Sequence, residues 1–241
     1  MGCKMPMHFT VCIIFCQGRV AQRMFARMAG RFGGIMAYSD FRTVAQIQDT
    51  FDVSVTSGHS LFPAIDVVIP SSQLVEILDE NIPLALNINT EKARSEMIIT
   101  PVLIEVRKQF ERNISLFSGV EFNVDAERYL NGYCDYILSR SPDQVFLTEP
   151  VACIVEAKNE NIKSAYPQCI ATMIAAQIFN DQHDHPVDSI LGVVTTGSNW
   201  KFLRLHDNII LIDFDEYLIS QIDKILGIFV YAISAAISVK S

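Results

Sequence analysis

The apolar run Val151-Ala152-Cys153-Ile154-Val155 constrains this chain more than any other feature. It is rich in β-branched residues and shows no alternation with polar ones. It therefore reads as a strand buried on both faces, as strands are when helices cover a sheet from both sides. The run stops in Glu156-Ala157-Lys158. Charge appears where the strand leaves the sheet, and an α/β fold with a mixed central sheet flanked by helices is expected.

The surrounding periodicities supply the other layers. Ser39 precedes a short helix whose apolar positions are Phe41, Val44, Ile47 and Phe51, and a second helix follows Ser71 and Ser72 with Leu74, Ile77 and Leu78 on one face. Residues 52–55 and 83–88 read as short strands. From Thr90 the positions Ile98, Ile99, Val102, Leu103, Val106 and Phe110 predict a long amphipathic helix, which Pro101 is expected to kink or split. Strands over 114–124 and 133–138 follow, separated by the turn signal Asn131-Gly132. Beyond the central strand come a helix over 164–180, strands over 190–195, 200–205 and 209–212, and a last helix over 215–239. The domain reading is an N-terminal appendage over 1–35, an α/β lead-in layer over 36–89, and a core over 90–241 that includes the C-terminal helix.

Charge divides the chain at the same place. Residues 1–35 carry Lys4, Arg19, Arg23, Arg27 and Arg31 with no acid, so the net −8 of the whole leaves −13 for the remainder. The body has no general attraction to nucleic acid, and phosphate binding there needs a local basic patch or a cation. The acid-free, Arg-rich appendage reads as a targeting segment or as an extension upstream of a translation start at Met36. Six cysteines without a C-x-x-C pair point to a reducing, cytoplasmic setting. No apolar run reaches the length of a membrane span. The uncharged stretch from 225 to 239 is 15 residues, which suits a buried helix or a homodimer contact through the C-terminal helix.

One acid closes the strand over 133–138 and an acid with a lysine closes the central strand. Asp135 and Glu156 are thus expected at one edge of the sheet, forming an oxygen-rich pair suited to Mg²⁺ or Mn²⁺. Glu156 and Lys158 stand two apart and point to one side. Lys158 then lies beside the ion, placed to orient a water and offset charge on a phosphate. Other patterns carry less. His183 and His185 with Asp181 and Asp184 read as a polar loop, Ser198 has no triad partners, and no phosphate-binding glycine loop occurs.

The segments Gly132-Tyr133-Cys134-Asp135-Tyr136 and Ile154-Val155-Glu156-Ala157-Lys158, with Gln168 on the next helix, resemble the PD-(D/E)XK nuclease superfamily. Residues 91–103 are also similar to the opening helix of the nuclease domain in type I restriction enzymes. The resemblance covers roughly residues 90–215. It departs from the pattern at Cys134, where the motif's name has proline, and in lacking a tyrosine after Gln168.

The resemblance implies a restriction-endonuclease-like αβββαβ core and metal-dependent hydrolysis of nucleic acid, DNA ahead of RNA. It assigns Asp135, Glu156 and the Ala157 carbonyl to the metal and Lys158 to the attacking water. Gln168 and Glu96 become accessory catalytic candidates, with Glu91 as a rival to Glu96. Thr195, Thr196, Gly197, Trp200 and Lys201 are candidates for a substrate groove. Lys163, Lys201 and Arg204, with Arg94, Arg107, Lys108 and Arg112, are candidates for phosphate contacts. The alternative is a nuclease-like scaffold without catalysis, serving binding or assembly, and a third reading is hydrolysis of another phosphate ester.

Overall fold

Hydroxyl caps start the helices in the first half of the chain. In the computed structural model, which describes residues 37–236, Thr43 Oγ1 accepts from Gln46 N–H while Gln46 Oε1 accepts from Thr43 N–H. This reciprocal pair opens α1 (Val44–Phe51). The cap is Thr43 rather than Ser39, which instead lies in a 3-10 turn, Tyr38–Asp40. The reason is spacing, since only Thr43 has a glutamine three residues on. Strand β1 (Ser54–Ser57) follows.

Ser71 then caps α2 (Ser72–Ile88), and Thr90 caps α3, in which Glu91–Arg94, a π-helical turn Ser95–Ile99 and Thr100–Gln109 run end to end. Residues 83–88 are the last turns of α2, not a strand. Leu74, Leu78 and Ala85 are buried at helical spacing, and this periodicity outweighs the single Pro83. Pro101 does not split α3 either. Its missing N–H would leave Met97 O unbonded, and Asn81 Nδ2 donates to that carbonyl instead at 3.0 Å. The π-turn widens the helix just ahead of the proline, with Thr100 N–H and Oγ1 both bonded to Ser95 O.

The remaining elements are β2 (Ser115–Glu121), β3 (Tyr133–Ser139), β4 (Val151–Ala157), α4 (Tyr166–Gln182), β5 (Ile190–Thr195), β6 (Asn199–His206), β7 (Ile209–Ile212), β8 (Tyr217–Leu218) and α5 (Ile222–Ala235). They build an α/β fold around one eight-stranded mixed sheet in the order β1-β7-β6-β5-β4-β3-β2, with β8 on β6. The β4–β5 and β1–β7 pairs are parallel and the rest antiparallel. The segment before residue 90 belongs to this sheet through β1.

All seven residues of β4 are buried, as the apolar run requires. Residues of α1 and α4 join the core on one face, and those of α2, α3 and α5 join the core on the other. Gly192 on β5 lets α4 approach closely, because a Cβ there would collide with Met173 Sδ.

The last helix begins at Ile222 rather than near 215, since β8 pairs Tyr217 with Trp200 first. Ile225, Leu226, Ile228, Phe229 and Ile233 of α5 are buried in the core, so most of the apolar character read as a subunit contact is used inside the chain. No helix among the described residues is long and apolar enough to cross a membrane. The expectations for residues 1–35 and for the end of the last helix at 239 lie outside the described residues.

Candidate active site

Asn180 sets the start of β4. Its Oδ1 accepts from Val151 N–H and its Nδ2 donates to Val151 O, both at 2.8 Å, so a buried side chain completes the strand's first ladder step. The β3–β4 register then runs Leu138 to Cys153, Ile137 to Ile154 and Tyr136 to Val155. One step further sets Asp135 opposite Glu156, and directly opposed residues of an antiparallel pair project from the same face. Asp135 Oδ2 accepts from Ala157 N–H at 2.8 Å, which holds the aspartate against the end of β4. Lys158 N–H donates to Thr195 O at 2.8 Å, extending the β4–β5 ladder past Ala157. Its Nζ lies 3.6 Å from Glu156 Oε2. The two acids and the lysine are thus brought together by backbone register.

The electrostatics of this trio are uneven. Glu156 is 0% exposed, and neither Oε1 nor Oε2 has a hydrogen-bond partner. Burial pushes its pKa well above the usual carboxylate range, the neighbouring Asp135 pushes it further, and Lys158 opposes them. The nearby thiols of Cys134 and Cys169 are also pushed up, by burial first and then by the charge of Glu156. A buried carboxyl with both oxygens unbonded is costly unless a cation or proton compensates it. This donor set fits a hard divalent cation: two carboxylates at a strand edge, with the Ala157 carbonyl, waters and substrate oxygens left to complete the shell. Among the described residues no group of three or more His, Cys, Asp and Glu side chains converges to hold a metal.

The accessory candidates stand apart. Glu96 makes an ion pair with Lys92 at 2.8 Å on an exposed face of α3, one helical turn away. It is drawn to solvent by its i−4 partner and is not brought to the acid pair. Glu91 is exposed as well. Gln168 is half-buried on the first turn of α4, and its side chain forms no hydrogen bond among the described residues. The side chain that this turn directs at the sheet is Cys169, whose Sγ lies 3.9 Å from Val193 O.

The groove candidates also divide. Trp200 is fully buried with Nε1 donating to Gly197 O, and Thr195 Oγ1 donates to Asn199 O inside the same turn. Both are structural. Thr196 and Lys201, with Arg94 and Lys163, line a cleft of about 480 Å³ beyond the carboxyl ends of β4 and β5. Arg107 is committed to Ile114 O and Lys108 to Gln73 and Glu105, while Arg204 lines a different depression beside Ser189 and His206. His183 Nδ1 contacts Phe179 O and His185 lies 3.7 Å from Glu149, as a polar loop would have it.

Sequence reasoning did not single out three buried charges. Glu105 accepts from Ser71 N–H and Oγ and from Lys108 Nζ, and Asp213 accepts from Leu61 N–H, Asp215 N–H and Tyr217 O–H. Arg94, named above only as one of several helix cations, is 9% exposed. Arg94 and Glu105 carried a readable signal, since both fall on the apolar stripe Arg94-Ile98-Val102-Glu105 of α3. A scan of protein-family models, a search of curated proteins and a search of solved structures each find no match to this chain.

Proposed function

We propose that this chain is a metal-dependent nuclease that hydrolyses phosphodiester bonds of nucleic acid. In this reading α3, β2, β3, β4, α4 and β5 form a restriction-endonuclease-like αβββαβ core. The observation that carries the reading is the Glu156 carboxyl, fully buried, without a hydrogen bond on either oxygen, opposite Asp135 and 3.6 Å from Lys158 Nζ. A structural acid buried this deeply is normally hydrogen-bonded, and a ligand acid kept ready for a cation need not be.

Each residue then has a task. Asp135 and Glu156 would hold Mg²⁺ or Mn²⁺, with the Ala157 carbonyl as a further ligand. The ion supplies concentrated positive charge for a phosphate oxygen and acidity for the attacking water. Asp135 is oriented for this by the Ala157 N–H, which donates to its Oδ2. Lys158 carries its ammonium beside the pair, where it orients the water and offsets charge that builds on the phosphate during in-line attack. Its backbone is locked to β5, so the ammonium swings on its own stem only.

The test is cleavage of plasmid and single-stranded substrates with Mg²⁺ or Mn²⁺ by the wild type, Asp135→Asn and Lys158→Ala. Each variant is expected to lose cleavage by about 10²-fold or more while melting like the wild type. Undiminished cleavage by both purified variants would overturn the mechanism.

A second reading, a nuclease-like scaffold without catalysis, draws on Glu96. Its surface ion pair with Lys92 leaves the site two carboxylates instead of three. Calorimetry with Mn²⁺ separates the readings, because the scaffold predicts no binding at millimolar metal.

A further inference from the structure

Arg94 is a buried cation without an anion. It is 9% exposed, yet every partner of its guanidinium is neutral: Thr196 O at 2.9 Å, Ser198 Oγ at 3.4 Å and Asn89 Oδ1 at 3.0 Å. Its Nε has no partner at all. Among the described residues no carboxylate pairs with it. Buried charges are ordinarily paired, and a guanidinium in a protein wall with no counter-charge attracts an anion. The hydrogen bonds to Thr196 and Asn89 hold the group rigid, so little is lost in ordering it when an anion arrives.

The wall in question belongs to the cleft of about 480 Å³ beyond the carboxyl ends of β4 and β5, a usual place for ligands in open α/β sheets. Its lining includes Asn159, one residue after Lys158, so cleft and acid pair share one edge of the sheet. Lys163 and Lys201 also line it. The two acids on its lining, Glu160 and Glu216, are exposed, and Glu216 already accepts from Asn199 Nδ2 at 2.6 Å.

We propose that this cleft binds a phosphate group of a nucleic-acid strand, with Arg94 as the anchor and Lys163 and Lys201 at its mouth. The strand's identity rests on the nuclease reading of the neighbouring acid pair, and the anion site does not. The volume exceeds what one phosphate fills, so the attached nucleotide enters with it. The site sets where the strand lies relative to Asp135 and Glu156 and takes no part in the chemistry. The phosphate is either a terminal monoester or an internal diester, which the same guanidinium chemistry recognises.

The test is fluorescence anisotropy with the full chain in EDTA, which stops metal-dependent cleavage. The probe is a labelled single-stranded oligonucleotide with a 5′-phosphate or a 5′-hydroxyl. Arg94→Met is expected to weaken binding about tenfold, the size of one lost charge-assisted contact. Lys163→Gln, at an exposed position that does not endanger the fold, is expected to lower the slope of log affinity against log salt by about 0.7. A 5′-phosphate preference that Arg94→Met abolishes identifies the terminal group, whereas equal loss for both probes identifies an internal one. Unchanged affinity and salt slope in both variants would sink the proposal. Arg94-dependent binding by a wild type that never cuts with Mg²⁺ would overturn only the nuclease reading.

Discussion

Glu156 and the pair Glu105 and Asp213 are all carboxyls withdrawn from water, and they are treated in opposite ways. Glu105 is 2% exposed and Asp213 1%, and each collects three hydrogen bonds that tie distant segments together. Glu156 is more buried than either and receives none. For Glu105, burial pushes the carboxyl up, but the bonds from Ser71 and Lys108 outweigh it and hold the pKa below the usual value. For Glu156 burial wins and the pKa rises. Burial of an acid therefore says nothing about function until its partners are counted. Satisfied acids fasten the fold, and the unsatisfied one is available to something else.

The comparison breaks most visibly at Asp213. Replacing it by alanine strands Leu61 N–H, Asp215 N–H and Tyr217 O–H, and about 3 kcal/mol of stability should be lost in urea denaturation. Loss below about 1 kcal/mol would mean that these bonds do not fasten the fold. Next in size is the response to metal. At about a hundredfold excess over its dissociation constant, Mg²⁺ or Mn²⁺ should stabilise the wild type by about 2.7 kcal/mol and leave Glu156→Gln unmoved in a thermal melt. Without metal the same variant should match or exceed the wild type, because it removes a buried ionisable group whose oxygens accept no hydrogen bond.

Glu105→Ala should cost about 2 kcal/mol, since Ser71 N–H at the start of α2 loses its acceptor. The pH dependence is the sharpest of these tests, because the two acids shift in opposite directions. Glu105, with a lowered folded pKa, contributes stability above its unfolded value that fades as pH falls through the folded one. Glu156, with a raised folded pKa, binds a proton more tightly when folded. In metal-free protein it therefore costs stability as pH rises from about 4.3, its unfolded value, towards the folded one. Urea titrations across acidic pH should show Glu105→Gln losing the first dependence and Glu156→Gln losing the second. Parallel curves for both variants would erase the distinction.

Much of this architecture is legible in short stretches of sequence. Five apolar residues followed by Glu156-Ala157-Lys158 announce a central strand with charge at its end, and Thr90 and Ser71 announce helix starts. Fold and local sequence diverge where local signals compete. Residues 83–88 read as a strand, but Leu74, Leu78 and Ala85 keep the helix on the core, and Pro101 is accommodated by a π-turn and by Asn81 from another helix. Glu96, an accessory candidate in the sequence, is held in solvent by Lys92 one turn back.

What the chain's own order of residues determined is the placement of Asp135 and Glu156 on neighbouring strands, with Lys158 two residues beyond. Strand periodicity and a short connection leave few other arrangements. Only the tertiary structure decided which charges are satisfied. Glu105 finds its partner 34 residues away, Arg94 finds Thr196 at 102, and Asp213 finds Leu61 at 152. Hydrogen-bond satisfaction depends on which distant groups the folded core brings within about 3 Å, and no local pattern encodes that. For the same reason the open valences of Glu156 and Arg94, on which the proposed chemistry and strand binding both depend, follow from the folded core and not from the local sequence.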